Sequence, residues 1–229
     1  MQVSSEFVAY NLHYLSFLSG GTKTAVIGHS QGNPDIQWAL QFWPSTHDVT
    51  SSFVALSPDF NGVAILSSNL SDFCTVSHCQ PSIWQQALGS NYYDALHHDD
   101  DFKAQVPTTS IWSQSDEVVV PANANAQLSN AKVIAVQKLC PFRVTDHFTM
   151  TIDSAGFALA LDALKHGGTA SLTRVMLKAL SVCLRLEAPN MNVNIPGEHS
   201  TQLSLRFLCT DHVLDTLRAA FNDVALGIL

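Results

Sequence analysis

The sequence predicts an α/β fold with a mainly parallel sheet and helices on both of its faces. Short apolar runs rich in Val, Ile, Ala or Phe alternate along the chain with stretches of helical periodicity. Strands that alternate with helices pair in parallel, because each helix carries the chain back to the edge where the next strand begins. With 229 residues, 46% of them hydrophobic, the chain can bury one sizeable core. We therefore expect a single domain over residues 1–229.

Four strands and four helices are indicated by apolar spacing and by the residues that end each element. The predicted strands are residues 24–27, a buried strand, and residues 52–56, 110–112 and 132–136. The first predicted helix ends at Gly20 and Gly21, and its apolar face comprises Phe7, Val8, Leu12, Leu15 and Leu18. A second helix has Pro34 in its first turn and ends at Pro44, and a third spans residues 152–166 before two glycines. Residues 189–197 are predicted to form a loop and residues 211–221 an amphipathic helix.

Composition and charge exclude several classes of partner. Only 13% of the residues are charged, and the net charge is −8, with 11 Lys and Arg scattered along the chain. No basic run is available to neutralise phosphates, so neither nucleic acid nor an anionic bilayer is an expected partner. No stretch reaches the roughly 18 apolar residues of a membrane span. Residues 1–20 also lack the positive region and cleavage site of a signal peptide, so we expect neither a transmembrane segment nor a signal peptide in this chain.

A serine stands between two glycines directly after the first predicted strand. The stretch runs from Gly28 through Ser30 to Gly32, and the second predicted helix follows it. The pattern G-x-S-x-G at a strand-to-helix turn is typical of a nucleophile elbow, whose glycines remove Cβ atoms that would collide at the sharp turn. The five residues alone also fit an idle serine in an ordinary tight turn. The hypothesis of a nucleophile therefore depends on partners further along the chain.

A nucleophilic serine needs a histidine to accept its proton and a carboxylate to orient that histidine. Asp116 follows the strand at 110–112, and His147 follows the strand at 132–136, which yields the chain order Ser, Asp, His of this type of fold. Asp59, after the strand at 52–56, is an alternative acid. Neighbouring residues whose side chains we expect to point elsewhere are Glu117, Asp146 and His29. The histidines that we expect to be solvated are His97, His98, His166, His199 and His212.

The five cysteines lack the spacing of a metal site, and no metal is expected. Cys74 and Cys79 lie five residues apart and can close a short disulfide loop. Asn69 begins an Asn-Leu-Ser glycosylation sequon just before them. A sequon beside such a loop indicates an oxidising compartment.

Five ordered blocks of the chain resemble the fungal lipases of the Candida antarctica lipase B type. The blocks, in chain order, are GHSQGNPDIQWALQFWPS, FVALSPDFNG, PSIWQQALGS, VPTTSIWSQSDEVVVP and VTDH. Residues 1–183 carry the resemblance, and residues 184–229 form a divergent C-terminal segment. The resemblance implies an α/β-hydrolase fold, secretion, and hydrolysis of carboxylic esters, including acylglycerols at a lipid–water interface, without a metal or a cofactor.

The resemblance also implies roles for individual residues. It makes Ser30 the nucleophile, Asp116 the acid and His147 the base, and it assigns the backbone N–H of Gln31 to the oxyanion. The residues that it places around the substrate are His29, where the family has a tryptophan, and a polar pair near the acyl group, Asp59 and Gln86. It implies a disulfide between Cys140 and Cys183, with Cys74–Cys79 as an additional bridge and no partner for Cys209.

These observations predict a triacylglycerol lipase or carboxylesterase that works through an acyl-enzyme intermediate. Only 29 residues precede Ser30, whereas the second oxyanion donor of this fold lies on a loop after an early strand. We therefore expect the sheet to lack the N-terminal strands of the family. The alternatives are a catalytically impaired hydrolase-like binding protein and a serine hydrolase of other acyl substrates, such as a peptidase, thioesterase or polyester hydrolase.

Overall fold

The computed structural model describes residues 1–64, 80–98 and 102–189. These residues belong to one compact unit, Met1–Met191. None of the described helices is both long and apolar enough to cross a membrane. The sites and elements that lie outside the described residues are Asn69, Cys74, Cys79, His199, Cys209, His212 and the helix predicted at 211–221.

The described strands form one parallel sheet in which spatial order follows chain order. The strands are β1 (Thr24–His29), β2 (Thr50–Leu56), β3 (Thr108–Trp112) and β4 (Lys132–Ala135). All three pairings are parallel, with Ile27 opposite Val54 and Ile111 opposite Ile134. The four predicted strands are therefore confirmed, with boundaries shifted by a few residues. β1 has a strand neighbour on only one side among the described residues.

Helices precede, connect and follow the strands. The described α-helices are α1 (Gln2–Leu18), α2 (Gly32–Phe42), α3 (Pro81–Gln85), α4 (Asn91–Leu96), α5 (Ala122–Asn125), α6 (Ser154–Lys165), α7 (Leu172–Met176) and α8 (Ala179–Cys183). Short 3-10 helices span Pro44–Asp48, Val136–Lys138 and Thr149–Thr151. Three of the four predicted helices correspond to α1, α2 and α6. Asp153 sets the start of α6, because its side chain accepts hydrogen bonds from the N–H groups of Ala155 and Gly156.

Helices cover both faces of the sheet at β2, whose successive side chains point to opposite sides. Phe53 and Ala55 of β2 pack against α1 and α2, and Val54 packs on the other side in a cluster with Leu159 of α6. The residues that α1 and α2 contribute to the first cluster are Leu12, Ile36 and Leu40. Helices on both sides of a parallel sheet confirm the predicted fold class.

The predicted burial of the first helix and the first strand was wrong in part. Phe7 on the predicted apolar face of α1 is 64% exposed, and the buried side of the helix carries Ser5, Ala9, Leu12 and Ser16. Small side chains on that side let α1 lie close to α2, and apolar residues occur all around α1, so periodicity alone does not identify the packed side. In β1, Ile27 is 47% exposed because it lies on the outermost described strand.

Candidate active site

The predicted nucleophile, acid and base lie at one edge of the sheet. Ser30 directly follows β1, Asp116 follows β3 by four residues, and His147 lies on the loop after β4. The strands are parallel, so their carboxyl ends meet at the same edge, where α/β folds place their ligands. Three residues that are far apart in the chain are therefore brought together by the topology of the sheet.

Ser30 has a backbone conformation that few non-glycine residues adopt. Its φ of 54° lies in the left-handed region. A hydrogen bond from the Ser30 N–H to the carbonyl of Leu56, at 3.1 Å, stabilises the turn. The Asn33 side-chain amide donates to the carbonyls of both Ser30 and Leu56, at 2.9 Å each. The backbone thus turns sharply at the serine and presents its hydroxyl at the sheet edge.

The two glycines beside Ser30 differ in their need to be glycine. A Cβ on Gly28 would lie 2.5 Å from Asn33 Oδ1 and 2.8 Å from the end of the Ile36 side chain. A Cβ on Gly32 would meet nothing within 4 Å. The expectation that both glycines prevent collisions is therefore right for Gly28 and wrong for Gly32, which begins helix α2 with open space around it.

A continuous line of hydrogen bonds joins the three side chains. Ser30 Oγ lies 2.8 Å from His147 Nε2, and His147 Nδ1 lies 2.9 Å from Asp116 Oδ2 and 3.1 Å from its Oδ1. A carboxylate can only accept, so Nδ1 carries the proton and Nε2 is free to accept from the serine hydroxyl. The side chains of His147 and Asp116 are 2% and 1% exposed, so water hardly competes for these bonds.

The surroundings of Asp116 keep it ionised. Burial acts to raise its pKa, but the hydrogen bond and charge of His147 and the N–H of Val119 outweigh burial and hold the pKa below its usual range. Its Oδ1 accepts from the N–H groups of Val118 and Val119 at 3.1 and 2.9 Å. A charged carboxylate beside a histidine ring is able to stabilise an imidazolium.

The loop that carries His147 is tied to the end of the described chain. The implied disulfide between Cys140 and Cys183 is present, with a Cα–Cα distance of 5.4 Å. Arg143, buried on the same loop, donates to the carbonyls of Val182 and Arg185. The disulfide was expected from the resemblance, whereas the role of Arg143 was not, because nothing in the local sequence pattern indicates that this arginine points inward.

A buried ion pair supports the same loop. Arg143 Nε lies 3.3 Å from Asp153 Oδ2, and both side chains are 4% exposed. The Thr145 hydroxyl donates to the same carboxylate oxygen at 2.9 Å, two residues before His147. Asp153 thereby joins the His147 loop to the start of helix α6, whose N–H groups it caps.

The main-chain groups of His147 also have side-chain partners. Its N–H donates to Glu117 Oε2 at 3.1 Å, and its carbonyl accepts from His29 Nε2 at 2.8 Å. The His29 and His147 rings lie 4.8 Å apart between centroids. Neither hydrogen bond reaches the imidazole or the Ser30 hydroxyl; His29 and Glu117 instead bond to the backbone of His147, contacts that the sequence did not predict.

Gln31, Gln86 and Asp59, the other predicted site residues, have separate surroundings. No hydrogen bond from the Gln31 N–H is made within the described part of the chain, and the residue occupies the N-cap position of helix α2. The Gln86 side chain donates to Gln31 Oε1 at 2.8 Å. Tyr93 donates to Asp59 Oδ2 at 3.0 Å. Asp59 and Gln86 thus each have a separate partner, and Asp116 rather than Asp59 is bonded to His147.

Replacing Asp59 by asparagine is expected to stabilise the protein at neutral and alkaline pH. Asp59 is fully buried, and burial raises its pKa to about 6, so ionising it in the fold costs free energy. The folded state binds this proton more tightly than the unfolded state. Stability contributed by the neutral acid is therefore present below pH ~4 and lost as the pH rises to about 6.

We expect Asp59→Asn to raise the free energy of unfolding on the order of 1–3 kcal/mol at pH 8 and to change it little at pH 4. Urea unfolding at the two pH values measures the difference. The control is Asp48→Asn, an exposed surface substitution that should change the free energy of unfolding by less than about 0.5 kcal/mol. Equal gains for Asp59→Asn at both pH values would contradict the account.

Three of the histidines expected to be solvated lie in the described residues, and His98 is exposed as expected. His97, expected to be solvated, instead donates to the carbonyl of Phe60 at 2.9 Å and packs 4.0 Å from the ring of Phe102. Its burial lowers its pKa. His166 lies at the end of helix α6 beside Asp162, as the sequence predicts for a histidine at a helix end. Among residues 1–64, 80–98 and 102–189, no group of three or more His, Cys, Asp or Glu is arranged to hold a metal ion.

The parallel sheet, the helices on its faces and the strand-to-helix turn at Ser30 define a partial α/β-hydrolase fold. No protein-family profile matches the chain. The chain is 33% identical over 170 residues to Lipase B of Pseudozyma antarctica, a match that covers 72% of this chain and 48% of that protein. The crystal structure of Aspergillus fumigatus lipase B superimposes with a TM-score of 0.73 at 35% identity, covering 82% of this chain and 47% of that one. The predicted resemblance to fungal lipases of the lipase B type is confirmed, and the chain spans about half the length of these relatives.

Proposed function

We propose that the chain provides the catalytic residues of a serine hydrolase of carboxylic esters, a triacylglycerol lipase or carboxylesterase. The observation that carries the proposal is the line of hydrogen bonds from Asp116 through His147 to the hydroxyl of Ser30. A buried carboxylate, a histidine in the right tautomer and a serine on a sharp turn are the parts that acyl transfer requires. The similarity to two lipases supports ester hydrolysis as the reaction class.

The reaction proceeds in two acyl-transfer steps. His147 Nε2 takes the proton of Ser30 as its Oγ attacks the ester carbonyl, and the bond to the alcohol breaks as His147 returns that proton to the leaving oxygen. Water then attacks the acyl-enzyme as His147 takes its proton, the bond between the acyl carbon and Ser30 Oγ breaks, and His147 returns the proton to Oγ as the carboxylic acid leaves. Asp116 holds the Nδ1–H throughout and stabilises the imidazolium.

The oxyanion of the tetrahedral intermediate needs a donor beside the serine. The N–H of Gln31 is the proposed donor, since it directly follows Ser30 at the start of helix α2 and has no other acceptor in the described residues. The positive end of the helix dipole adds to this stabilisation. Gln86 fixes the Gln31 side chain at 2.8 Å and so restrains the residue that carries the donor.

The proposed setting is extracellular. A disulfide such as Cys140–Cys183 persists in oxidising compartments and is rare in reducing ones. The proposed substrates are uncharged esters, including acylglycerols at a lipid–water interface. Hydrolysis of p-nitrophenyl esters from butyrate to palmitate separates lipase from esterase, because a lipase retains its rate on the long chains.

The direct test is covalent labelling of the full chain with a p-nitrophenyl alkylphosphonate, located by peptide mass spectrometry. We expect one adduct, on Ser30, and none in Ser30→Ala. Ser45 is a matched control, because its hydroxyl lies 3.1 Å from His13 Nε2 on the surface, without a carboxylate partner for that histidine in the described residues. Ser45→Ala should label like the wild type. A folded chain whose Ser30 does not react would overturn the proposed function.

A further inference from the structure

The ring of His29 contacts the backbone of the proposed catalytic base, and this contact suggests a role beyond lining the substrate site. We propose that His29 is a positioning residue that fixes His147 for proton transfer with Ser30. The inference rests on the proposed function and deepens it. His29 touches neither the reacting hydroxyl nor Asp116 in the hydrogen-bond network, so its action passes through His147.

His147 is held at three points. Its ring is anchored on Asp116 at 2.9 Å, its N–H donates to Glu117 Oε2 at 3.1 Å, and its carbonyl accepts from His29 Nε2 at 2.8 Å. The first two anchors come from one segment, residues 116–117, whereas His29 is the last residue of β1, directly before Ser30. His29 is thus the anchor that ties the base to the strand carrying the nucleophile, across 118 positions of the chain.

The hydrogen bond defines the state of the His29 ring. A carbonyl oxygen can only accept, so Nε2 carries the proton and Nδ1 does not. Burial, followed by the nearby charge of His147, lowers the pKa of His29 to about 4, against smaller opposing effects of the carbonyl contact and Asp116. The ring therefore remains a neutral donor near neutral pH. A neutral ring 4.8 Å from His147 also avoids a second positive charge beside the imidazolium.

The position of the carbonyl matters because rotation of the His147 peptide carries the imidazole with it. A shift of about 1 Å at the base is enough to cost a large part of the rate of proton transfer. In metal sites, the outer partners that orient a ligand are typically worth roughly 10- to 100-fold in affinity or activity, and we expect a loss of similar size for a partner that orients the base. The loss should appear in the chemical step and not in substrate binding.

Two variants distinguish the effect of the hydrogen bond from the effect of the aromatic ring at position 29. His29→Phe keeps a planar ring but has no N–H, whereas His29→Gln replaces the ring by an amide whose Nε2 can donate at a similar reach. The matched controls are His47→Phe and His47→Gln, because His47 is also half-buried and its Nε2 donates to the carbonyl of Leu40 at 2.7 Å. Urea unfolding of each variant checks that the fold is retained.

The measurement is the rate at which a phosphonate labels Ser30, as a function of reagent concentration. Two phosphonates are compared, which have the same alkyl group and alkoxy groups of different size. We expect His29→Phe to lower the maximal labelling rate by roughly 10- to 100-fold for both reagents. The reagent concentration that gives half of the maximal rate should change by less than about threefold. His29→Gln should recover the rate to within about fivefold of the wild type, and the His47 variants should match it.

Three results would overturn the inference. An unchanged maximal labelling rate in His29→Phe would exclude a positioning role. A loss that depends on the size of the alkoxy group, or that appears only as a higher half-maximal reagent concentration, would make His29 a pocket residue only. Failure of His29→Gln to recover any rate, with the fold retained, would exclude the hydrogen bond as the cause. Absence of labelling in the wild-type chain itself would instead overturn the proposed function, and this inference with it.

Discussion

Asp116→Asn is expected to lower the rate of ester hydrolysis by about 10³- to 10⁴-fold without unfolding the protein. The carboxylate accepts the Nδ1–H of His147 at 2.9 Å and thereby leaves Nε2 free to accept the proton of Ser30. An asparagine amide in the same place can donate to Nδ1, which moves the imidazole proton to Nε2 and blocks proton transfer from the serine. The loss should lie in kcat, because Asp116 lies behind His147 and not against the substrate.

Asp146→Asn is the matched control for this substitution. Asp146 precedes His147 in the chain, but its carboxylate accepts from the N–H and the hydroxyl of Thr149, at 2.7 and 2.8 Å, and does not bond to the imidazole. An asparagine oxygen can accept the same bonds, so kcat should stay within about threefold of the wild type. A small effect of Asp116→Asn, or equal losses in the two variants, would contradict the proposed roles of Asp116 and His147.

Removal of the Cys140–Cys183 disulfide is expected to produce the largest loss of stability. The bond closes a loop over a sequence separation of 43 residues, and a loop of this size corresponds to about 4 kcal/mol in the chain-entropy account. The bond also joins the base of the His147 loop to helix α8, where Arg143 donates to main-chain carbonyls. We expect Cys140→Ala/Cys183→Ala to lose a similar amount in urea unfolding.

The single substitutions provide an internal control for the disulfide. Cys140→Ala and Cys183→Ala each break the same covalent bond, so each should lose nearly as much as the double variant. A reducing agent should lower the stability of the wild type by more than that of the double variant, in which only the expected Cys74–Cys79 bridge is left to reduce. Losses that add across the two sites, or a total below about 1 kcal/mol, would show that packing of the individual side chains matters and the cross-link does not.

The strand positions and the chemistry of the sheet edge could be predicted because both depend on local signals. Apolar runs identify buried strands, and a glycine-flanked serine after the first strand indicates a sharp turn. Parallel strands place their carboxyl ends at one edge, so Ser30 and Asp116, which closely follow their strands, are expected there. His147 reaches the same edge through the path of the longer loop after β4. The side of α1 that packs against α2 was not predictable, since Phe7 and Leu12 are equally apolar and only the small residues on one side allow close approach.

The sequence by itself therefore determined the fold class, the strand order along the chain, and the identity of the three side chains that meet at the sheet edge. Only the tertiary structure decided what holds them there: the ion pair of Arg143 with Asp153 under the loop, and the contacts of Glu117 and His29 with the backbone of His147. The physical reason is that periodicity and motifs indicate local structure, namely strands, helices and the turns between them. Contacts between a loop side chain and a main-chain group depend on the paths of loops that come from distant parts of the chain and pack against one another.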